Sequence, residues 1–254
     1  MERRTLLRLV GLASVQLFSS RLLGQKPSKR RPVIEFEHSV RDVMLDQSGT
    51  FGQDHFVVGV LTCSDIQGAM KAVRRIREKS KFRCRLRYRS NNRWKTPYAK
   101  ALIDYWLGSS SIQVRVRAIK QTSKKGEKPS VKELRYIGQL IALINTQPTL
   151  SNTSRLITQQ RHSARRKDVE VHRTLKERIG KKDVQVFLIK ENQSELIQFL
   201  GVVLGTVYGS YEGSETKDKI KRDLISYLQS KLDSKSLWVP RRDPRFSVDI
   251  VAEV

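Results

Sequence analysis

The sequence predicts an α/β domain in which a mixed β-sheet carries helices on its faces. Residues 40–47 read as a β-strand that a Ser-Gly turn closes, and the apolar run 56–62 predicts the second strand of a hairpin. Downstream, segments with the two-residue period of strands alternate with segments of helical period. Hydrophobic residues make up 38% of the chain, enough for a core. A hairpin followed by alternating strands and helices is typical of a mixed sheet covered by helices.

Local signals predict the elements after the hairpin. Ser64 and Asp65 provide an N-cap for a helix that an apolar stripe extends to residue 79. Further helices are predicted over residues 95–107, 131–145, 167–179, 194–208 and 215–232. Further strands are predicted over residues 81–89, 112–120 with Arg115 and Arg117 outward, 155–158, 184–189 of the buried type, and 246–251.

Residues 1–34 have a different character, so the predicted single domain covers residues 35–254. Arg3 and Arg4 precede a short apolar run over residues 9–20, which Arg21 follows. The pattern resembles a twin-arginine export signal, and the run is too short to span a bilayer. No Ala-x-Ala cleavage site follows, and an amphipathic helix or a polyanion-binding arm explains the same residues. A cytoplasmic and an exported location both stay open. We expect no integral membrane association of the mature chain.

The charge balance of the chain indicates a negatively charged partner. Lys and Arg number 50 against 25 Asp and Glu, which gives a formal net charge of +25. Solubility alone needs a net charge of only about 2–8 on a small domain, and a larger excess destabilises the compact state by self-repulsion. Nucleic acid, either DNA or RNA, is the leading candidate partner.

The positive charge is concentrated between residues 71 and 100. This segment holds 13 Lys and Arg against one acid, Glu78, for a segmental charge of +12. Residues 81–89 alternate, so a strand would place basic residues on one face and Phe82, Cys84, Leu86 and Tyr88 on the other. The basic face would consist of Arg83, Arg85, Arg87 and Arg89. Arginine suits phosphate geometry, although a charged edge strand that resists aggregation is the alternative.

Other residues complete the predicted nucleic-acid interface. Tyr88 and Trp94 offer rings on which bases could stack, and Arg93 adds charge beside them. Trp106 is interpreted as a core residue. A second basic stretch opens the predicted helix 167–179 and contains Arg161, Arg165, Arg166 and Lys167. A solvated loop is the alternative explanation of that stretch.

The cysteines and histidines give no metal-binding pattern. Cys63 and Cys84 are not spaced as zinc ligands, and a disulfide between them requires an oxidising compartment. The four histidines are scattered, and each is interpreted as a surface or turn residue: His38, His55, His162 and His172.

Three stretches carry a resemblance to a known family. The opening Leu-Asp-Gln-Ser-Gly at residues 45–49, with the apolar strand 56–60, resembles the start of the domain-of-unknown-function family thirty-eight hundred, whose members usually begin with Asp-Glu-Ser-Gly. Residues 94–107 with 114–119 are similar to its central helix and strand. Residues 194–205 with 217–232 are similar to its closing region, where Gln-x-x-Asp-x-x-x-Gly is typical. The resemblance covers about residues 40–251 and implies an RNase H-like fold.

The resemblance also implies a metal-dependent nuclease site, from which this chain departs. Asp46 matches the first acid, and Mg²⁺ or Mn²⁺ would be the metal. Gln47 replaces the family's first-strand Glu, Thr158 or Gln159 stands where the middle-strand acid falls, and Gly201 aligns with the last-helix Asp. Glu195, six residues before Gly201, is the substitute acid that could restore catalysis. Asp46 as a turn-capping residue is the alternative.

Three functions therefore follow as expectations. The first is a nucleic-acid-binding RNase H-like protein with a degenerate metal site and weak or no nuclease activity. The second is an active divalent-metal-dependent nuclease that uses Asp46 and Glu195. The third is an exported basic protein that binds an anionic envelope polymer. Whether the protein is an enzyme stays open at this point.

Overall fold

The computed structural model describes residues 42–49, 55–88, 95–121, 129–145, 155–159, 173–177, 179, 184–189, 194–211 and 218–253. Within these ranges the strands are β1 (Asp42–Ser48), β2 (His55–Cys63), β3 (Ile112–Gln121), β4 (Arg155–Gln159), β5 (Gln185–Ile189), β6 (Arg241–Arg242) and β7 (Phe246–Glu253). The helices are α1 (Ile66–Lys79), α2 (Thr96–Gly108), α3 (Pro129–Asn145), α4 (helical residues 173–177 and 179), α5 (Glu195–Gly209) and α6 (Lys219–Lys231).

The strands form one mixed sheet in the order β5-β4-β1-β2-β3-β7-β6. β1, β2 and β3 are antiparallel neighbours, as the predicted hairpin requires, whereas β4 runs parallel to β1 and β5 parallel to β4. These five strands and their helices form an RNase H-like α/β fold, which confirms the predicted fold class. β7 extends the sheet parallel to β3, and the short β6 pairs antiparallel with β7.

The two faces of the sheet pack against different helices because strand residues alternate between faces. One core joins residues such as Met44 and Leu61 to α1, α2, α5 and α6. The other joins residues such as Leu45 and Val60 to α3 and α4. α5 is buried on nearly all sides, which explains its almost continuous apolar sequence. Trp106 is fully buried, as predicted, and it packs edge-on against Phe199.

Two predicted strands differ from the structure. Residues 81–88 form an irregular segment without sheet pairing, and Arg89 lies outside the described residues. β5 is the outermost strand rather than a buried one, and its Phe187 is 43% exposed. An apolar run alone does not reveal whether both faces of a strand are covered. Of the predicted helix 167–179, residues 173–177 and 179 are helical and the others lie outside the described residues.

One histidine corrects the interpretation of all four as surface residues. His55 opens β2 and is 5% exposed. Its ring stacks on Tyr208 and Tyr211, with centroid distances of 4.5 and 4.0 Å, and contacts the edge of Trp238. β2 therefore begins inside a cluster of aromatic side chains. His38, His162 and His172 lie outside the described residues.

Both cysteines are free thiols. Cys84 is exposed, whereas Cys63 ends β2 in the core. Burial raises the pKa of the Cys63 thiol to about 11, so this thiol stays protonated at neutral pH and is a poor nucleophile.

Candidate functional site

Asp46 lies near the end of β1, on the sheet face that α5 covers. Its side chain is buried, and its pairing partner on the neighbouring strand β2 is Gly59. A Cβ atom on Gly201 of α5 would lie 2.8 Å from Asp46 Oδ2. The structure therefore brings Asp46 and residue 201 into contact. These are the positions at which the resemblance implies the first-strand and last-helix acids.

The residues around Asp46 do not fit a two-metal site. Two divalent cations need several oxygen ligands, yet the described ranges contain no group of three His, Cys, Asp or Glu side chains that could hold a metal ion. Gln47 pairs with Val58 and Thr158 pairs with Leu45, and both partners pack on the opposite face of the sheet. An acid at either position would therefore project away from Asp46.

Glu195, the expected substitute acid, is engaged with Arg77 and Tyr98. Its Oε1 is 2.6 Å from Arg77 Nε, and its Oε2 accepts a hydrogen bond from the Tyr98 hydroxyl. Burial, and after it the Glu195 carboxylate, raises the pKa of Tyr98 and keeps this phenol a donor. Six residues of helix correspond to about 9 Å of rise and about one and two thirds turns, so the two positions differ in direction by about 120°. Side chains at positions 195 and 201 thus point in different directions from α5. The Glu195 carboxylate is directed to Arg77 and not to Asp46.

Introducing an acid at residue 201 should create a metal site. We expect Gly201→Asp to lower the melting temperature in EDTA, because it places a second carboxylate against buried Asp46. Millimolar Mn²⁺ should then raise the melting temperature by several degrees, since a bound ion stabilises the folded state by mass action. Gly201→Asn is the size-matched control and should not respond. An equal Mn²⁺ response of wild type would show that Asp46 already belongs to a metal site.

The exposed face of α1 is almost entirely basic. Lys71, Arg74, Arg75 and Lys79 are exposed and follow the spacing of one helical face, with Glu78 as the only acid in the helix. The opposite face carries buried residues such as Val73. The sequence-based prediction counted these cations in the segmental charge but did not include them in the predicted interface. Their helical spacing was the signal that could have found them.

Residues 81–88, called here the basic segment, follow α1 in the chain and are also rich in exposed cations. Lys81, Arg83, Arg85 and Arg87 are exposed, whereas Phe82 and Leu86 are buried. The predicted alternation of basic residues outward and apolar residues inward therefore holds, except at exposed Cys84. The strand itself does not form, because the buried side chains pack on helices and the segment pairs with no strand of the sheet.

Tyr88 faces α5 and is not a free ring for base stacking. Any Cβ atom on Gly205 or Gly209 would collide with the Tyr88 side chain, so these two glycines provide the space that its ring occupies. Lys221 covers the ring, with its Nζ 5.6 Å from the centroid. The remaining residues of the predicted interface lie outside the described ranges: Arg89, Arg93, Trp94, Arg161, Arg165, Arg166 and Lys167.

Among the described residues, exposed cations that lack an acidic partner are concentrated in α1 and the basic segment. Within the part of the chain that the structure describes, no ion pair involves Lys71, Arg74, Arg75, Lys79, Lys81, Arg83 or Arg85. Elsewhere in the described ranges some cations are paired with acids, as in Lys100–Asp223, Lys231–Asp104 and Arg155–Asp42. Exposed cations without an ion pair also occur there, but those such as Lys120, Lys235 and Arg242 lie on separate parts of the chain. We call these seven residues, together with Arg87, the basic surface.

The described helices include none that is both long enough and apolar enough to cross a bilayer. The resemblance to the family thirty-eight hundred rests on the short motifs given above. A scan against protein-family models found no match for the chain, and a search of curated proteins found no significant relative.

Proposed function

We propose that this protein binds nucleic acid through the basic surface of α1 and residues 81–87, and that its RNase H-like domain carries a degenerate metal site. One observation carries the proposal: exposed cations without an acidic partner in the described ranges are grouped on α1 and the adjoining segment. Uncompensated cations are costly to concentrate. A bound polyanion removes that cost by neutralising them and releasing its counterions.

Arginine and lysine geometry supports phosphate as the recognised group. A guanidinium presents a planar fork of donors that matches two phosphate oxygens, and the surface contains several. Contacts to phosphates carry no sequence information, so the proposed binding is sequence-tolerant and sensitive to salt. The described part of the surface provides positive charge for the nucleic-acid backbone. It provides no ring for base stacking, since Tyr88 packs against α5.

Binding without efficient cleavage follows from the surroundings of Asp46. A glycine stands where a second carboxylate would meet Asp46, and Glu195 is the counter-ion of Arg77. Metal-assisted phosphodiester hydrolysis needs a cage of oxygen ligands, which these residues do not provide. We therefore favour a nucleic-acid-binding protein over an active nuclease.

Lysine acetylation with and without nucleic acid tests the proposal. We expect a short duplex DNA, or a single-stranded RNA, to slow acetylation of Lys71, Lys79 and Lys81 at least fivefold, because bound phosphates shield their amines. Lys120 and Lys235 are exposed lysines of other elements and serve as internal controls. Mass spectrometry of peptides reads each site. Equal protection of all five lysines, or protection of none, would contradict the proposal.

A further inference from the structure

Arg77 is the arginine of α1 that does not belong to the exposed face. It follows buried Val73 by four residues, so it leaves the helix on its inner side, and its side chain is only 18% exposed. Its guanidinium ion-pairs with Glu195 of α5 at 2.6 Å. It also lies against the ring of Tyr98 in α2, 5.1 Å from the centroid. One side chain therefore joins three helices.

The same guanidinium holds the start of the basic segment. Arg77 Nη1 donates to the backbone carbonyls of Phe82 and Cys84, at 3.3 and 3.0 Å. It also lies over the Phe82 ring at 5.0 Å, and that ring stacks on Tyr98. The Phe82 carbonyl is bonded to the Arg83 nitrogen and the Cys84 carbonyl to the Arg85 nitrogen. The half-buried Arg77 side chain therefore holds the backbone on both sides of Arg83.

Two further contacts hold the rest of the segment on α5. The Leu86 amide donates to Gln198 Oε1 at 2.9 Å in a buried setting. Tyr88 occupies the space that Gly205 and Gly209 leave open. Arg85 lies between Cys84 and Leu86, and Arg87 lies between Leu86 and Tyr88. Side chains of α1 and α5 thus hold the segment in one conformation, although it pairs with no strand.

We infer that Arg77 is a positioning residue, which preorganises the exposed arginines of the basic segment for a polyanion that Arg77 itself does not touch. This inference rests on the proposed function. A flexible arginine segment would lose conformational entropy on binding, whereas a preordered one has already lost it on folding, so fixing the segment increases affinity. The planar guanidinium donates to two carbonyls while it pairs with Glu195, a combination that a single ammonium group of lysine does not reproduce.

Hydrogen exchange tests the positioning claim without any ligand. We expect Arg77→Met to speed exchange of the Leu86 amide at least tenfold, while amides of β2 keep their wild-type rates. Arg77→Lys should give a smaller increase, and Arg75→Met, which removes the same charge from the exposed face, should give none. Unchanged exchange at Leu86 in Arg77→Met would overturn the inference. So would a uniform increase across the domain, which indicates general destabilisation.

The salt dependence of DNA binding gives the second readout. Each phosphate contact contributes about 0.9 to the slope of log affinity against log salt. Arg75→Met should reduce the slope by about one contact, whereas Arg77→Met should reduce it by two or more, since several arginines lose their fixed positions. Equal slopes for the two variants would overturn the inference. Absence of DNA binding by wild type would instead refute the proposed function, and the Leu86 exchange rate would still decide whether Arg77 positions the segment.

Discussion

Replacing Arg155 by methionine should reduce the free energy of unfolding by about 3–5 kcal/mol at pH 7, because it leaves a buried carboxylate without its partner. Arg155 of β4 holds Asp42 of β1 by two hydrogen bonds, Nε to Oδ1 at 2.8 Å and Nη2 to Oδ2 at 3.2 Å. Asp42 has no exposed surface, and the two strands are parallel neighbours in the middle of the sheet. Chemical denaturation measures the loss directly.

The effect of Arg155→Met should shrink as the pH falls. Burial already raises the pKa of Asp42 above its ordinary value, while the hydrogen bonds and charge of Arg155 oppose that rise. Without Arg155 the pKa of Asp42 in the folded state rises further. Asp42 of the folded variant therefore takes up a proton at a higher pH than Asp42 of the unfolded chain does. Protonation then stabilises the folded variant as the pH drops through that raised pKa.

A double variant provides the control for this prediction. Asp42→Asn combined with Arg155→Met removes both charges and should recover part of the lost stability, with little dependence on pH between 4 and 7 (a window set by the ordinary carboxyl pKa of about 4). If Arg155→Met alone were as stable as wild type at pH 7, the ion pair would contribute nothing to joining β1 and β4.

Strand and helix periodicity was sufficient to predict most of the fold. The apolar run of β2 and the Ser-Gly turn before it indicated the hairpin, and Asp65 does cap α1 by accepting from the Gly68 amide. These features depend on neighbours in sequence, which local patterns describe well. The pairing of β4 with β1 instead joins residues more than a hundred positions apart, which no local pattern describes.

The candidate site was predictable only in part because contacts between distant segments decide it. Alternation correctly indicated that the cations of the basic segment point outward, although it placed the exposed Cys84 inward. It could not show that Phe82 and Tyr88 pack on helices instead of a sheet, or that Glu195 meets Arg77 of another helix. His55 likewise joins aromatic residues that follow it by more than 150 positions.

Removing three charges from the basic segment should lower nucleic-acid affinity about 100-fold at low salt, since each lost cation removes a phosphate contact. The variant is Lys81→Gln with Arg83→Gln and Arg85→Gln. All three side chains are exposed and lack ion pairs in the described ranges, so their loss should leave the melting temperature within about 2 °C of wild type. A concurrent large loss of stability would mean that these residues also support the fold.

If the net charge of the protein alone determined affinity, removing any three exposed cations would weaken binding equally. A charge-matched variant separates this explanation from binding through the basic surface. Lys120→Gln with Lys235→Gln and Arg242→Gln removes three exposed cations from β3, the α6–β6 connection and β6. Both triple variants change the formal net charge from +25 to +22. The decisive measurement is the dissociation constant of each variant for one duplex DNA at one low salt concentration. We predict about 100-fold weaker binding for the basic-segment variant and at most about threefold for its charge-matched counterpart. Equal losses in the two would contradict binding through α1 and residues 81–87.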